Sequence, residues 1–153
     1  MSLTAYKKKR SFEKTPEPSG KIIKSKKGNL IFVIQEHDSS HLHWDLRLEM
    51  GGVLKSWAVP KSPIDLKKRG VKRLAINVED HPLQYADFEG IISEGNYGAG
   101  KVKIWDRGKY ELIEKDSKKI IFELHGKKLK GKYCLVKTRY GSRPEKSWLW
   151  FKL

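Results

Sequence analysis

Between His41 and Met50 the chain alternates residue by residue. Leu42, Trp44, Leu46, Leu48 and Met50 take one side, and His41, His43, Asp45, Arg47 and Glu49 take the other. That is the period of a β-strand with one apolar face. Gly51-Gly52 follows and reads as a two-residue hairpin turn, whose central positions both need φ > 0. Val53 to Val59 then returns as the partner strand, in a register that sets Arg47 opposite Ser56 and Asp45 opposite Ala58. Upstream, Leu30-Ile31-Phe32-Val33-Ile34 is continuously apolar and rich in β-branched residues, which predicts a strand buried on both faces. Further strands are predicted over 73–78, 87–92, 101–105, 109–113, 119–124, 132–137 and 148–153, with Asp106-Arg107-Gly108 and His125-Gly126 as turns. No stretch keeps a helical period. The pattern predicts a mainly all-β fold with minor helix: a single-domain β-barrel, closed or partly open, over residues 30–153.

Residues 1–29 follow another pattern. They carry nine Lys and Arg against two Glu, about half of the formal net charge of +15. Thr15-Pro16-Glu17-Pro18-Ser19-Gly20 continues neither a helix nor a central strand. We read the segment as a mobile basic N-terminal arm. The 153 residues suffice for one domain with a core, and 38% hydrophobic content with sixteen aromatic residues excludes a disordered chain. No apolar run reaches the roughly 20 residues that span a bilayer, and no secretory signal is visible. Cys134 is the sole cysteine, so an internal disulfide framework and a cysteine-based zinc site are excluded. A cytoplasmic monomer without membrane contact is expected. The charge points to a polyanionic partner, nucleic acid first, although a lysine-rich solubilising surface gives the same number.

Chemistry concentrates on the polar side of the 41–50 strand. His43, Asp45 and Arg47 recur at every second position, about 6.6 Å apart, above the small partners Ser56 and Ala58. His37 lies just before this strand, across Asp38-Ser39-Ser40. His37, His43 and Asp45 form a two-histidine, one-carboxylate set that suits Mn²⁺, Zn²⁺ or Fe²⁺ and leaves positions open for substrate. His41 shares the face and competes as a ligand. Arg47, Lys61 and Arg73 are cations that could converge on one phosphate. Glu79 to Tyr85 forms a proline-bent loop carrying His81 and Tyr85, where an imidazolium could offset transition-state charge or protonate a leaving oxygen. Gly95-Asn96-Tyr97-Gly98-Ala99-Gly100 lacks the Lys-Ser/Thr and the following helix of nucleotide-binding loops and reads as a β–β connection, with Glu94 beside it as a candidate polar anchor. The five tryptophans sit in alternating strands and read as core.

The segments from Phe32 to Asp38, His43 to Glu49, Leu54 to Lys61, Val78 to Pro82, Tyr85 to Gly90 and Glu94 to Gly100 together resemble the 3′-phosphoesterase domain of bacterial and archaeal DNA ligase D. The resemblance runs from about Tyr6 to the C-terminus. Here the domain is expected to stand alone, since no ligase or polymerase sequence follows Leu153. The resemblance implies a compact β-barrel and a Mn²⁺-dependent enzyme, with Zn²⁺ or Co²⁺ able to occupy the same site. It implies action on the 3′ ends of DNA or RNA–DNA primer–templates: removal of a terminal ribonucleoside, then of the 3′-phosphate, to leave a 3′-OH for repair and end joining. A separate ligase and polymerase would be its pathway partners. By position, His37, His43 and Asp45 match the metal ligands. Arg47, His81 and Tyr85 match the essential residues around the scissile phosphate, with Lys61 and Arg73 in supporting places and Glu17 retained in the substrate arm. Trp44 stands where the family often has Tyr. Ser11 replaces a frequent Asp of the N-terminal segment, which implies weak ribonucleoside removal. Two other classes fit part of the pattern. A non-catalytic nucleic-acid-binding barrel explains the charge, and a cupin-like oxygenase explains the ligand set but not the cations.

Overall fold

Gly51 and Gly52 turn the chain with φ of +59° and +84°, closing the hairpin of β2 (Leu42–Met50) and β3 (Val53–Val59). Arg47 faces Ser56 and Asp45 faces Ala58, the register expected from a two-residue turn. The structure is a computed structural model that describes residues 2–12, 14–20 and 30–153. The other strands are β1 (Ile31–Asp38), β4 (Lys72–Pro82), β5 (Gly90–Ile92), β6 (Gly100–Lys115), β7 (Lys119–His125), β8 (Lys130–Lys137) and β9 (Ser147–Lys152). All ladders are antiparallel. β1 to β4 form one meander and β6 to β9 another. Pairing of β4 with β9 and of β1 with β6 joins them into a closed eight-stranded barrel, with the short β5 on the free side of β6. Closure removes the exposed edges that a basic, strand-rich chain would otherwise present. Helix among the described residues is confined to α1 (Thr4–Lys8) and three short 3-10 turns, and none of it is long and apolar enough to cross a membrane.

The alternation of β1 and β2 sorts side chains between two cores. Phe32, Ile34, Leu46 and Leu48 point into the barrel and pack with Trp57, Phe122, Tyr133 and Trp150. The opposite parity faces outward, yet it is also buried. Val33 and Leu54 on that side pack with Tyr6, Tyr85 and Ala86. The outer cover comes from two places. The first is the N-terminal segment, in which Leu3, Tyr6, Thr15 and Glu17 are buried. The described part of the expected arm is therefore laid on the barrel wall, whereas Lys21, Lys24, Lys26 and Lys27 lie outside the described residues. The second cover is the 3-10 turn Leu83–Asp87, closed by Phe88 N–H donating to the Tyr85 carbonyl at 3.0 Å.

Three expectations need correcting. The segment 87–92 is not one strand: its start belongs to that turn and only Gly90–Ile92 pairs with β6. His81 lies within β4, opposite Leu54, rather than in a loop. Finally, 101–105 and 109–113 are one strand, β6, which bends through a register shift opposite Ile34 and Gln35. Asp106-Arg107-Gly108 is no turn. The buried Asp106 carboxylate accepts backbone N–H bonds from Arg107, Lys127, Lys128 and Leu129 at 2.8–3.2 Å, fastening the β7–β8 turn to the barrel. Gly108 is required by proximity, because a Cβ there would lie 2.2 Å from the His125 carbonyl oxygen.

Asp106→Asn keeps the shape but replaces one accepting oxygen with a donor facing buried N–H groups. It should lower stability by about 2 kcal/mol, read as a lower urea midpoint at unchanged slope. An unchanged midpoint would remove the carboxylate as a structural anchor.

Candidate active site

The end of β1 lies beside the start of β2, pairing His37 with His43 directly across the ladder. The two rings lie 4.8 Å apart, and each has one nitrogen tied to the backbone. His37 Nε2 donates to the Gly98 carbonyl at 2.7 Å, and His43 Nδ1 donates to the His41 carbonyl at 2.9 Å. A carbonyl can only accept, so in the neutral rings the lone pairs fall on His37 Nδ1 and His43 Nε2. Those atoms face the same oxygen, Asp45 Oδ2, at 3.8 and 3.2 Å. Candidate donor atoms of all three residues lie within 4.8 Å of one another. Ring nitrogens oriented by backbone carbonyls are how histidines are fixed as metal ligands. The donor set therefore fits a divalent metal with open coordination positions. Burial would raise the Asp45 pKa, but Arg47 and the two histidines outweigh it and hold the carboxyl well below its usual range. Burial depresses the His43 pKa, yet the hydrogen bond and charge of Asp45 turn the net shift upward.

Arg47, two positions along β2, is buried on the same face. Its Nε donates to Gln35 Oε1 at 2.7 Å, its Nη2 lies 3.5 Å from Asp45 Oδ2, and its guanidinium lies over the Tyr85 ring at 4.9 Å. Gln35 is fixed in turn, since its amide donates to the Tyr85 and Phe88 carbonyls at 2.7 and 3.1 Å. One donor is left over: Arg47 Nη1 is buried without a hydrogen-bond partner among the described residues. A charged donor left unpaired is costly unless a ligand completes it.

The N-terminal segment brings a second arginine. Arg10 Nε donates to Glu17 Oε2 at 2.9 Å, Nη1 to the Tyr6 carbonyl at 3.1 Å, and Nη2 to His81 Nε2 at 3.3 Å. Glu17 also accepts from the Tyr85 hydroxyl at 2.6 Å and from Thr15 at 2.9 Å. His81 Nδ1 donates to the Glu79 carbonyl at 3.0 Å, which leaves Nε2 as the acceptor that Arg10 uses. Burial, then Arg47 and Arg10, push the His81 pKa well below its usual value. The ring is neutral, so the imidazolium expected there is not what this arrangement holds. Burial likewise raises the Tyr85 hydroxyl, keeping it a donor to Glu17.

These groups line a cavity of about 630 Å³ on the outer wall of the barrel. His37, His43, Asp45, Arg47, His81, Tyr85 and Glu17 all face it. His41 is at its rim, with its carbonyl engaged by His43. Lys61 and Arg73 are not among the lining residues. Lys61 is exposed, and Arg73 is turned to the Ser62 carbonyl at 3.1 Å and to Asp65 at 3.0 Å. Glu94 is exposed, and the Gly95–Gly100 connection contributes through the Gly98 carbonyl. Arg10, Gln35 and Glu79 were not singled out from the sequence as members of the site. Their partners lie up to 71 residues away, beyond the reach of any local pattern. A second trio, Glu111, Glu123 and His125, brings donor atoms equally close on β6 and β7, but it lies away from the cavity and largely in solvent.

Comparison with known proteins matches residues 35–137 to the model of the DNA ligase D 3′-phosphoesterase domain. The multifunctional non-homologous end joining protein LigD of Pseudomonas aeruginosa is 51% identical over 144 residues, which is 89% of this chain and 17% of that protein. The Mycobacterium tuberculosis repair protein LigD is 46% identical over 140 residues, covering 89% and 18%. The Mycolicibacterium smegmatis protein is 44% identical over 158 residues, covering 96% and 20%. The chain thus spans a fifth or less of the length of these curated relatives.

The neutral His81 gives a pH signature. An unfolded histidine takes up a proton below about pH 6.5, whereas the buried ring does not, so His81 withdraws stability as pH falls through that range. His43, with its raised pKa, acts in the opposite sense. In metal-free urea titrations, the stability of the wild type relative to His81→Asn should decline from pH 7.5 to 5.5. A constant difference would show that His81 is not held neutral.

Proposed function

The chain belongs to the DNA ligase D 3′-phosphoesterase domain family, and on that premise we propose that it is a metal-dependent phosphomonoesterase acting on 3′ ends of DNA or mixed RNA–DNA strands. It would leave a 3′-OH for a ligase or polymerase of end joining. The observation that carries this reading is the unpartnered Arg47 Nη1 on a guanidinium whose Nη2 lies 3.5 Å from Asp45, one of the three candidate ligands. One phosphate can satisfy both, because an arginine donates to phosphate oxygens in a fixed plane while the ligand set leaves metal positions open.

When bound by His37, His43 and Asp45, a divalent ion supplies Lewis-acid polarisation and a water of lowered pKa. Mn²⁺ is favoured over Mg²⁺, since imidazole donors suit the softer ion. Arg47 donates to a phosphoryl oxygen and counters the charge that grows on it in the transition state. Gln35 and Asp45 fix the plane of its guanidinium, and the Tyr85 ring supports it. Arg10, held by Glu17 and His81, stands as a second cation at the cavity wall. His81 works as an acceptor that orients Arg10, in place of the imidazolium first expected. Lys61 and Arg73 have no contact with the phosphate in this reading. Removal of a 3′-terminal ribonucleoside is the weaker activity in this reading, because the exposed Ser11 stands where the family often has an Asp. A non-catalytic nucleic-acid-binding barrel would account for the net charge of +15 but would leave the oriented donor set without use.

A primer–template ending in a 3′-phosphate should release inorganic phosphate with Mn²⁺, more slowly with Mg²⁺, and not at all with chelator. His43→Ala should abolish release while the unfolding midpoint stays near the wild type. Retained turnover in His43→Ala would remove the metal assignment, and no metal-dependent turnover by the wild type would leave the binding module as the reading.

Arg47→Lys keeps the charge and loses the fork. It should lower kcat at least tenfold with KM within about threefold. The opposite split, raised KM at unchanged kcat, would make Arg47 a binding residue only.

A further inference from the structure

Part of the cavity wall takes no part in the chemistry above. Ser142 and Arg143 line the cavity and belong to the segment Thr138–Arg143, which joins β8 to β9 beyond the residues matched by the family model. The base of this loop is fixed. Thr138 N–H donates to the Ser147 carbonyl at 3.0 Å, and Ser147 Oγ donates to the Arg143 carbonyl at 2.7 Å. Gly141 packs so closely on Leu74 that a Cβ would sit 3.2 Å from its Cδ2.

Its tip, by contrast, is bare. Tyr140 is 70% exposed, the most of any large hydrophobic side chain described. Among the described residues, the side chains of Arg139, Tyr140 and Arg143 make no hydrogen bond, ion pair or ring contact. Tyr140 stands two residues before Ser142, so its Cα is within about 7 Å of a residue of the cavity wall. Tyr97, an exposed aromatic that lines the cavity, is already engaged. Lys9 Nζ and the Arg10 guanidinium lie 4.8 and 5.4 Å from its ring centre.

An aromatic ring with free faces, flanked by unpaired arginines on a fixed loop, has the composition of a stacking platform for single-stranded nucleic acid. We infer that Tyr140 stacks on the base of the 3′-terminal nucleotide whose phosphate enters the cavity, while Arg139 and Arg143 meet the phosphates on its 5′ side. This rests on the reading of the cavity as a 3′-end site. Stacking is tolerant of base identity, as every base offers a π-face. The platform therefore serves binding of any sequence and leaves the chemical step to the groups below it.

The test uses a 3′-phosphate oligonucleotide with 2-aminopurine as its terminal base, in chelator so that no turnover occurs. Binding to the wild type should quench the fluorescence. Tyr140→Ala should lose the quench and bind about five- to a hundred-fold more weakly, whereas Tyr140→Phe should keep both. With an abasic terminal nucleotide, the wild type and Tyr140→Ala should bind equally. Arg139→Ala with Arg143→Ala should lower the log–log salt slope by about 1.4. Equal quenching by Tyr140→Ala and the wild type, or an equal loss of affinity for base-bearing and abasic ends, overturns the inference, as does an unchanged salt slope for the arginines. The failure of the functional reading is read separately. A wild type that binds and quenches but releases no phosphate with any metal retains the platform and loses the phosphoesterase.

Discussion

Burying the Arg47 guanidinium on the outside of a barrel is the constraint on which the site depends. A permanent cation removed from water is tolerable only when its donors are matched and a negative charge stands near. Gln35, Asp45 and the Tyr85 ring meet most of that demand, and each is itself fixed. Gln35 is held by two carbonyls of the Leu83–Phe88 region, and Tyr85 is held by Glu17. The demand is met incompletely, at Arg47 Nη1, which is buried without a hydrogen-bond partner among the described residues. In the proposed reading, a phosphate oxygen is what completes that donor.

The same constraint explains why a barrel that is already closed carries a second layer. The inner parity of β1 and β2 builds the main core, and the outer parity would be an ordinary wet surface without its cover. The N-terminal segment and the turn at Leu83–Asp87 exclude water there, raising the strength of every charge interaction within. The cover also carries charge. Arg10, Glu17 and Glu79 form a chain of ion pairs, with Arg10 at 2.9 Å from Glu17 and 3.4 Å from Glu79. Burial raises the Glu79 pKa, but its own backbone N–H, Lys9 and Arg10 outweigh that, and it stays ionised. A segment that looked like a basic tail by composition is, over its described residues, one wall of the site.

The hairpin from Leu42 to Val59 was legible because three local signals agree: strict alternation, paired glycines, and small residues opposite Asp45 and Arg47. His37, His43 and Asp45 followed from it, since adjacent strands bring the end of β1 beside β2. What could not be read lies at long range. Arg10 joins His81 across 71 residues, and Gln35 meets Phe88 across 53. Neither carries a periodic signature. Lys61 and Arg73 were named by the family resemblance and by charge type, which has little power to choose in a chain with 33 Lys and Arg, and neither lines the cavity. Asp106 to Gly108 has the composition of a turn because a buried carboxylate cap and a close strand crossing use the same residues that turns use. Chemistry concentrated in one element was visible in the pattern, His81 and Tyr85 came from the make-up of one segment and from the family resemblance, Glu17 from the resemblance alone, and Arg10, Gln35 and Glu79 were missed.

The central claim is that one metal and Arg47 meet on the same phosphate. Paramagnetic relaxation of ³¹P by bound Mn²⁺ tests it directly, using an oligonucleotide with a non-hydrolysable 3′-terminal phosphonate and several internal phosphates. The account predicts strong broadening of the terminal resonance alone, reversed by chelator and lost in Asp45→Ala. Equal broadening along the strand, or broadening that survives Asp45→Ala, would contradict it.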